Sequence, residues 1–261
     1  MKIHHCNCAS FCPFHSKKLI KTVAPELSNL ITQCLIIDSK DGIILVDTGI
    51  GQTQMEKGKR SKIQDFIIGT QYDEKQTILN QLEIRGIKKN DVKHIFVTHL
   101  DYDHAGGVMD FPHSTLHLLK DEWEIANFSP NKRDKFRYKK YLWEKQKKVE
   151  LYEGGNLWKG NLTKIQLKGI EEKLFLVPLV GHTKGHAGLL IESENTLFAG
   201  DAFMNHRQII DNYESKILKI YNNVTSYNLR QYYETLDQLK FLNKENVKVL
   251  NSHDPFYFKE D

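Results

Sequence analysis

Short apolar runs of strand length recur along the chain, and most of them end on a polar residue or a glycine. They read CLIID (34–38), GIILVDTG (42–49), HIFVTH (94–99), TLHLL (115–119), LFLVPLV (174–180), GLLIES (188–193), NTLFAG (195–200) and VKVLNSH (247–253). Their length and their β-branched content predict strands rather than helices. Helical patterns lie between them. DEKQTILNQLEIRG (73–86) has Asp73 as a candidate N-cap and stops at Gly86, and NLRQYYETLDQLKFLN (228–243) is the longer of the two. Strands interleaved with helices predict an α/β or α+β protein whose sheets are covered by helices on their outer faces. The ends of the strands carry the chemistry: Asp47-Thr48, Thr98-His99, Gly181-His182, Gly200-Asp201 and Ser252-His253. Five buried strands that each deliver an acid or an imidazole at the C-terminal end predict one shared site.

Composition narrows the setting. The chain has 261 residues, 40% of them hydrophobic, enough for the core of one large domain over 1–261. No apolar run approaches the ~20 residues of a membrane span, and the opening MKIHHCNC has no apolar signal segment. A cytoplasmic protein is expected. All four cysteines (Cys6, Cys8, Cys12, Cys34) fall in the first 34 residues, which is no disulfide framework and agrees with a reducing compartment. The net charge of +4 is mild, but residues 131–148 hold nine Lys/Arg against two acids. We read that stretch as a solvated helix whose Phe136, Tyr138, Tyr141, Leu142 and Trp143 supply packing. A cap or lid within 120–160 stays open, and nucleic acid is not expected as a partner.

The densest chemistry is THLDYDHAGG (98–107). After a strand, His99 and Asp101 are two residues apart and can face one side. Asp103 and His104 diverge from each other and can serve a second ion. Gly106 and Gly107 are expected to let the backbone turn tightly into the next helix.

The pattern His-x-Asp-x-Asp-His, with GHTKGH and FAGD downstream and SHD near the end, resembles the metallo-β-lactamase-fold hydrolase superfamily, and most closely its lactonase-like branch. The likeness covers nearly the whole chain. It implies an αββα four-layer sandwich of two mixed sheets, and two divalent ions. His99, Asp101 and His182 would hold the first ion, Asp103, His104 and His253 the second, and Asp201 would bridge them. Asp47 would orient ligands from behind. Zinc is the first expectation for such imidazole and carboxylate donors. Most members have His where this chain has Asp101; the extra carboxylate makes manganese or iron alternatives.

Such a pair of ions implies a hydrolase that uses a bridging hydroxide, with Asp103 orienting the hydroxide and passing a proton to the leaving group. The expected substrate is a small carboxylic ester or lactone. Thioester hydrolysis of the glyoxalase II kind is the alternative; phosphodiesterase or nuclease activity, a mononuclear iron dioxygenase and a non-catalytic ligand-binding relative rank lower. In the family's acyl-homoserine lactonases a tyrosine follows the bridging Asp by three residues, where this chain has Met204. His206, Tyr138 and Tyr141 are the candidate replacements. A homodimer is an open possibility.

HHCNCASFCPFH (4–15) is too tightly spaced for a structural zinc knuckle and has no second Cys/His pair to close it. Residues 4–8 are expected to form a strand and 10–15 a loop at the pocket mouth, with Cys34 in the core. His94, His113 and His117 are expected to be packed or surface residues. His186 is expected either within the site or in a structural turn.

Overall fold

A computed structural model of the protein describes residues 1–12, 17–55 and 69–258. One sheet holds seven strands: β1 (Lys2–Phe11), β2 (Leu30–Ser39), β3 (Gly42–Val46), β4 (Thr70–Gln71), β5 (Val92–Phe96), β6 (Thr115–Leu119) and β7 (Lys148–Tyr152), in the order β4-β1-β2-β3-β5-β6-β7. The other holds β8 (Asn156–Leu157), β9 (Thr163–Gln166), β10 (Leu174–Pro178), β11 (Ala187–Ile191), β12 (Thr196–Phe198) and β13 (Lys248–Leu250), in the order β13-β12-β11-β10-β9-β8. Both sheets are mixed: β3, β5, β6 and β7 pair in parallel, as do β12 and β13, and the remaining pairs are antiparallel.

Why the strands read as unbroken apolar runs is visible in how their side chains divide. Successive residues point to opposite faces. Cys34, Ile36, Ile43, Leu45 and Ile95 join the core on the outer face of the first sheet, while Leu35, Ile37, Ile44, Val46 and Phe96 join the core between the sheets. The second sheet repeats this. Leu176, Leu189 and Ile191 face inward, and Val177, Leu190 and Leu197 face a third core that Leu236, Leu239 and Leu242 complete from the helix Leu229–Lys244. Each such leucine contributes roughly 1.5–3 kcal/mol on burial. Three cores between four layers give the expected αββα sandwich.

Local readings fare unevenly. Asn228 caps the long helix by accepting from the Gln231 N–H. The segment 73–86 is not one helix. Asp73 caps a 3-10 turn (Glu74–Gln76), Thr77 breaks it, and Thr77 then caps the helix Ile78–Glu83 through the Asn80 N–H. β1 runs on through Ser10 and Phe11, so the strand is longer than expected; Pro13 to His15 lie outside the described residues. The basic stretch 131–148 is no single helix either. It holds the helix Lys132–Arg137, a 3-10 turn (Lys140–Leu142) and the first residue of β7, and it buries Tyr138, Leu142 and Trp143 against the outer face of the first sheet.

Candidate metal centre

All five expected polar strand ends converge. β3 leads into Asp47, β5 into His99, β10 into His182, β12 into Asp201 and β13 into His253. Gly200 sits at φ +54°, and a Cβ there would lie 2.8 Å from His186 Nε2 and from Thr98 Cβ, so only glycine lets the chain turn Asp201 into the site. Asp47 itself is left-handed at φ 55°, which costs about 1–2 kcal/mol for an L-residue. In return its carboxylate accepts from the Thr98 N–H at 2.7 Å, from the Thr98 hydroxyl at 2.9 Å and from His104 Nδ1 at 2.9 Å.

Asp103 and His104 lie on a single helical turn, Tyr102–Ala105. That turn precedes Gly106 and Gly107 instead of following them. Both glycines have ordinary negative φ (−60° and −88°). Their requirement is space: a Cβ on Gly106 would meet Gly49 O at 2.7 Å, and one on Gly107 would meet Thr48 O at 2.9 Å.

Hydrogen bonds set which nitrogen of each histidine faces inward. His253 Nδ1 bonds Ile31 O at 2.6 Å, and a carbonyl only accepts, so Nδ1 carries the proton and Nε2 offers a lone pair. His104 does the same through Asp47. The Thr98 hydroxyl donates to Asp47 and accepts from His99 Nδ1 at 2.9 Å, which leaves His99 Nε2 turned to the site.

The inward atoms crowd together. His104 Nε2 lies 3.3 Å from Asp201 Oδ1 and 3.7 Å from Asp103 Oδ2; His253 Nε2 lies 3.1 Å from Asp201 Oδ2 and 3.8 Å from Asp103 Oδ2. On the other side, His99 Nε2 and His182 Nε2 lie 3.2 and 3.4 Å from Asp101 Oδ2, and His182 Nε2 lies 3.5 Å from Asp201 Oδ2. Among the described residues, two groups could each hold an ion: Asp103, His104 and His253, and His99, His182 and Asp201.

Imidazole nitrogens facing carboxylates need a cation between them, a proton in the metal-free chain or a metal ion in its place. Burial acts first to lower the His104 imidazolium, yet Asp201, Asp103 and Asp47 overcome it and push its pKa well above the usual value. His253 is likewise raised against burial, by Asp201. Asp201 is held well below the carboxylate range in spite of burial, by His253 and His104. His99 Nε2, His104 Nε2 and Asp201 Oδ1 are buried without a hydrogen-bond partner among the described residues, which is the signature expected where a metal belongs. The donors Asp103, His104 and His253, with Asp201 beside them, fit a divalent ion. Bound there, it would polarise a carbonyl and lower the pKa of water from near 16 toward about 7.

The other half of the cage departs from expectation. Arg137, at the end of the helix Lys132–Arg137, reaches into it. Its Nε donates to Asp101 Oδ1 at 2.6 Å, and its Nη2 donates to Asp101 Oδ2 at 2.6 Å and to His182 Nε2 at 2.7 Å. Burial would raise the Asp101 carboxyl; Arg137, His99 and His182 hold it well below its ordinary value. Burial and Arg137 lower His182 to about 4, so its Nε2 is an acceptor, and the acceptor is taken. Asp101 and His182 are thus both engaged by Arg137. The signal in sequence was the pair itself, an unusual acid at 101 and an arginine inside a basic stretch. Distance along the chain hid their meeting.

Several supporting residues were not legible. Glu122, wholly buried, accepts from the Leu100 N–H at 2.9 Å and the Gly185 N–H at 3.1 Å, tying the loop of His99 to that of His182. His186 bonds Leu179 O through Nδ1 and accepts the Asp201 N–H at 3.0 Å through Nε2, which gives it the structural role. Tyr221, on the helix Lys216–Thr225, stands near the cage. Burial first, and then Asp201, Asp103 and Asp101, push its phenol well above the ordinary range.

Of the substrate-contact candidates, Tyr138 is buried with its hydroxyl on Glu122, behind the cage, and Tyr141 packs half-buried against the outer core. His206 binds Asp254 Oδ2 at 2.7 Å through Nδ1 and stacks on Phe256 with ring centroids 3.6 Å apart. Met204 is buried. Cys6, Cys8 and Cys34 are buried thiols; burial and Cys8 push Cys34 up. From β1, the Phe11 ring meets His253 edge-on at 5.0 Å, so the N-terminal strand supports the cage from behind.

Residues 28–247 match the sequence pattern of the metallo-beta-lactamase superfamily. The chain belongs to that superfamily. It is 29% identical to a probable metallo-hydrolase of Mycobacterium bovis, over 98% of this chain and 81% of the relative. It is 28% identical to an N-acyl homoserine lactonase of Bacillus cereus, over 72% of this chain and 69% of that protein. A crystal structure of a quorum-quenching N-acyl homoserine lactone lactonase superposes with a TM-score of 0.69 at 21% identity, covering 97% of this chain and 92% of the other. That likeness shows the fold. The chain is thus a metallo-hydrolase of that superfamily, with lactonases among the proteins it resembles, and among its described residues no helix is long and apolar enough to cross a membrane.

Proposed function

We propose that the protein hydrolyses a small carboxylic ester or lactone, using zinc held by Asp103, His104 and His253 with Asp201 beside them. One observation carries the reading: the inward nitrogens of His104 and His253 face the Asp201 and Asp103 carboxylates in a buried cage where His104 Nε2 and Asp201 Oδ1 have no hydrogen-bond partner among the described residues. Manganese and iron are the alternatives for the ion, and the cytoplasm is the proposed compartment.

Each residue has a part that follows from its placement. Asp47 and Ile31 O fix the tautomers of His104 and His253, so neither ring needs to reorganise when an ion enters. Asp103 is the least buried of the cage carboxylates around the second half, with a side chain 12% exposed against 5% for Asp201. It can therefore meet a water and a leaving group, accepting a proton from the first and returning it to the second. Tyr221 is proposed to take the place of the lactonase tyrosine. A phenol is protonated at neutral pH and can donate a hydrogen bond to the oxygen that gains charge as the acyl carbon turns tetrahedral.

Turnover of zinc-loaded protein on lactones, aryl esters, thioesters, a phosphodiester and a β-lactam tests the reading. Activity on an ester or lactone, abolished by chelation and by Asp103→Asn, is expected. Turnover confined to the phosphodiester would overturn it.

A further inference from the structure

The guanidinium of Arg137 has a partner for every N–H it carries. Nε and one Nη2 hydrogen go to the two oxygens of Asp101, the second Nη2 hydrogen goes to His182 Nε2, and Nη1 goes to His182 O at 3.1 Å and Thr225 O at 2.8 Å. The arginine fork fits a carboxylate edge, so this pairing is directional as well as charged. Its helix is anchored too. Four residues earlier Arg133 Nη2 donates to Val224 O and Ser226 O, each at 2.9 Å. Two arginines of one helix thus clasp the C-terminal end of the helix Lys216–Thr225, where unpaired carbonyls gather negative charge.

From this geometry we infer that Arg137 is the permanent cation of the first half of the cage, and that the protein binds a single divalent ion, in the half built from Asp103, His104 and His253. The inference deepens the proposed function and rests on it. The physical ground is that a lone pair serves one acid at a time. His182 Nε2 cannot accept from Arg137 at 2.7 Å and also coordinate a metal, because both need the same lone pair. With His182 withdrawn, only His99 and the shared Asp201 remain uncommitted to the arginine; Asp101 could add only a lone pair on an oxygen whose charge the guanidinium already neutralises. Two donors are short of what a zinc site takes from its protein. A divalent ion there would also adjoin a fixed positive charge.

The same geometry explains the departure at position 101. A histidine there would present a neutral ring to the guanidinium, whereas a carboxylate matches its charge and both of its parallel N–H bonds. Asp101 and Arg137 form one device.

Metal counting decides it. Tag-free protein is saturated with zinc, freed of excess by gel filtration, and its zinc per chain measured by mass spectrometry. A competing chromophoric chelator follows binding in solution. The expected result is one zinc per wild-type chain and two per chain in Arg137→Ala, with the second ion bound at least 100-fold more tightly than any second ion of the wild type. Adding Asp101→His to Arg137→Ala should tighten that second ion further. Arg137→Gln keeps an N–H donor for Asp101 without the charge, and should gain the second ion even if the alanine variant folds poorly; circular dichroism identifies which variants fold. Two ions on the wild-type chain would overturn the inference and leave the hydrolase reading standing. One ion in the wild type and in all folded variants would overturn it as well. A chain that binds none overturns both readings.

Discussion

The two halves of the cage use the same residue types and reach opposite electrostatic solutions. In one, Asp103, His104 and His253 face Asp201, and His104 Nε2 and Asp201 Oδ1 are buried without a hydrogen-bond partner among the described residues. In the other, His182 and Asp101 are neutralised by an arginine of the same chain. Ligand-like residues at ligand-like spacing can thus be engaged by a cation of the chain itself. What decides is whether a buried lone pair already has a hydrogen to receive.

The largest expected effect separates the halves by mutation. Asp103→Asn should lower ester turnover by about 10²–10⁴-fold, the usual contribution of a proton-transferring group. Asp101→Asn should lower it far less. Its main consequence should be stability, since an uncompensated buried guanidinium costs roughly 3–5 kcal/mol, read as a loss in chemical denaturation. Equal losses of turnover from the two substitutions would break the comparison.

Asp47 serves both sides, through His104 directly and through Thr98 to His99. Asp47→Ala should weaken zinc binding by about 10–100-fold, the usual effect of removing a group that orients a metal ligand. Competition with a chelator measures it. An unchanged affinity would mean that the histidine tautomers are fixed by something else.

The smallest effect is a control remote from the metal. His117 Nε2 meets His94 Nδ1 at 2.9 Å, and its Nδ1 meets the Tyr152 hydroxyl at 2.7 Å. Burial, then His94, lowers its pKa from 6.5 to about 3. Between those values the unfolded chain takes up a proton that the folded chain resists, so stability falls as pH falls through that window. One group contributes at most about 1.4 kcal/mol per pH unit. His117→Gln should flatten that slope in denaturation curves recorded from pH 6.5 down to 4, and leave zinc per chain unchanged. A slope identical to the wild type would refute the assignment.

Much of this molecule was legible from the chain because strand-length apolar runs and their polar ends are local features. The convergence of Asp47, His99, His182, Asp201 and His253 followed from where those runs stop. Short helices were legible only in part: Thr77 interrupts 73–86, since its hydroxyl serves an N-cap better than a helix interior. The basic stretch is solvated along most of its length and packs through Tyr138, Leu142 and Trp143, but its charge pattern hides Arg137, which is half-buried against a partner 36 residues away. Glu122 and Tyr221 gave no signal, being single residues on ordinary helices whose roles exist only across loops brought together by folding.

Anomalous diffraction at the zinc edge, from crystals of fully loaded wild-type protein, tests the asymmetry most directly. The account predicts one peak, beside Asp103, His104 and His253, with the Arg137 guanidinium still seated on Asp101 and His182. Two peaks of full height about 3.5–4 Å apart, with Arg137 swung away, would contradict it.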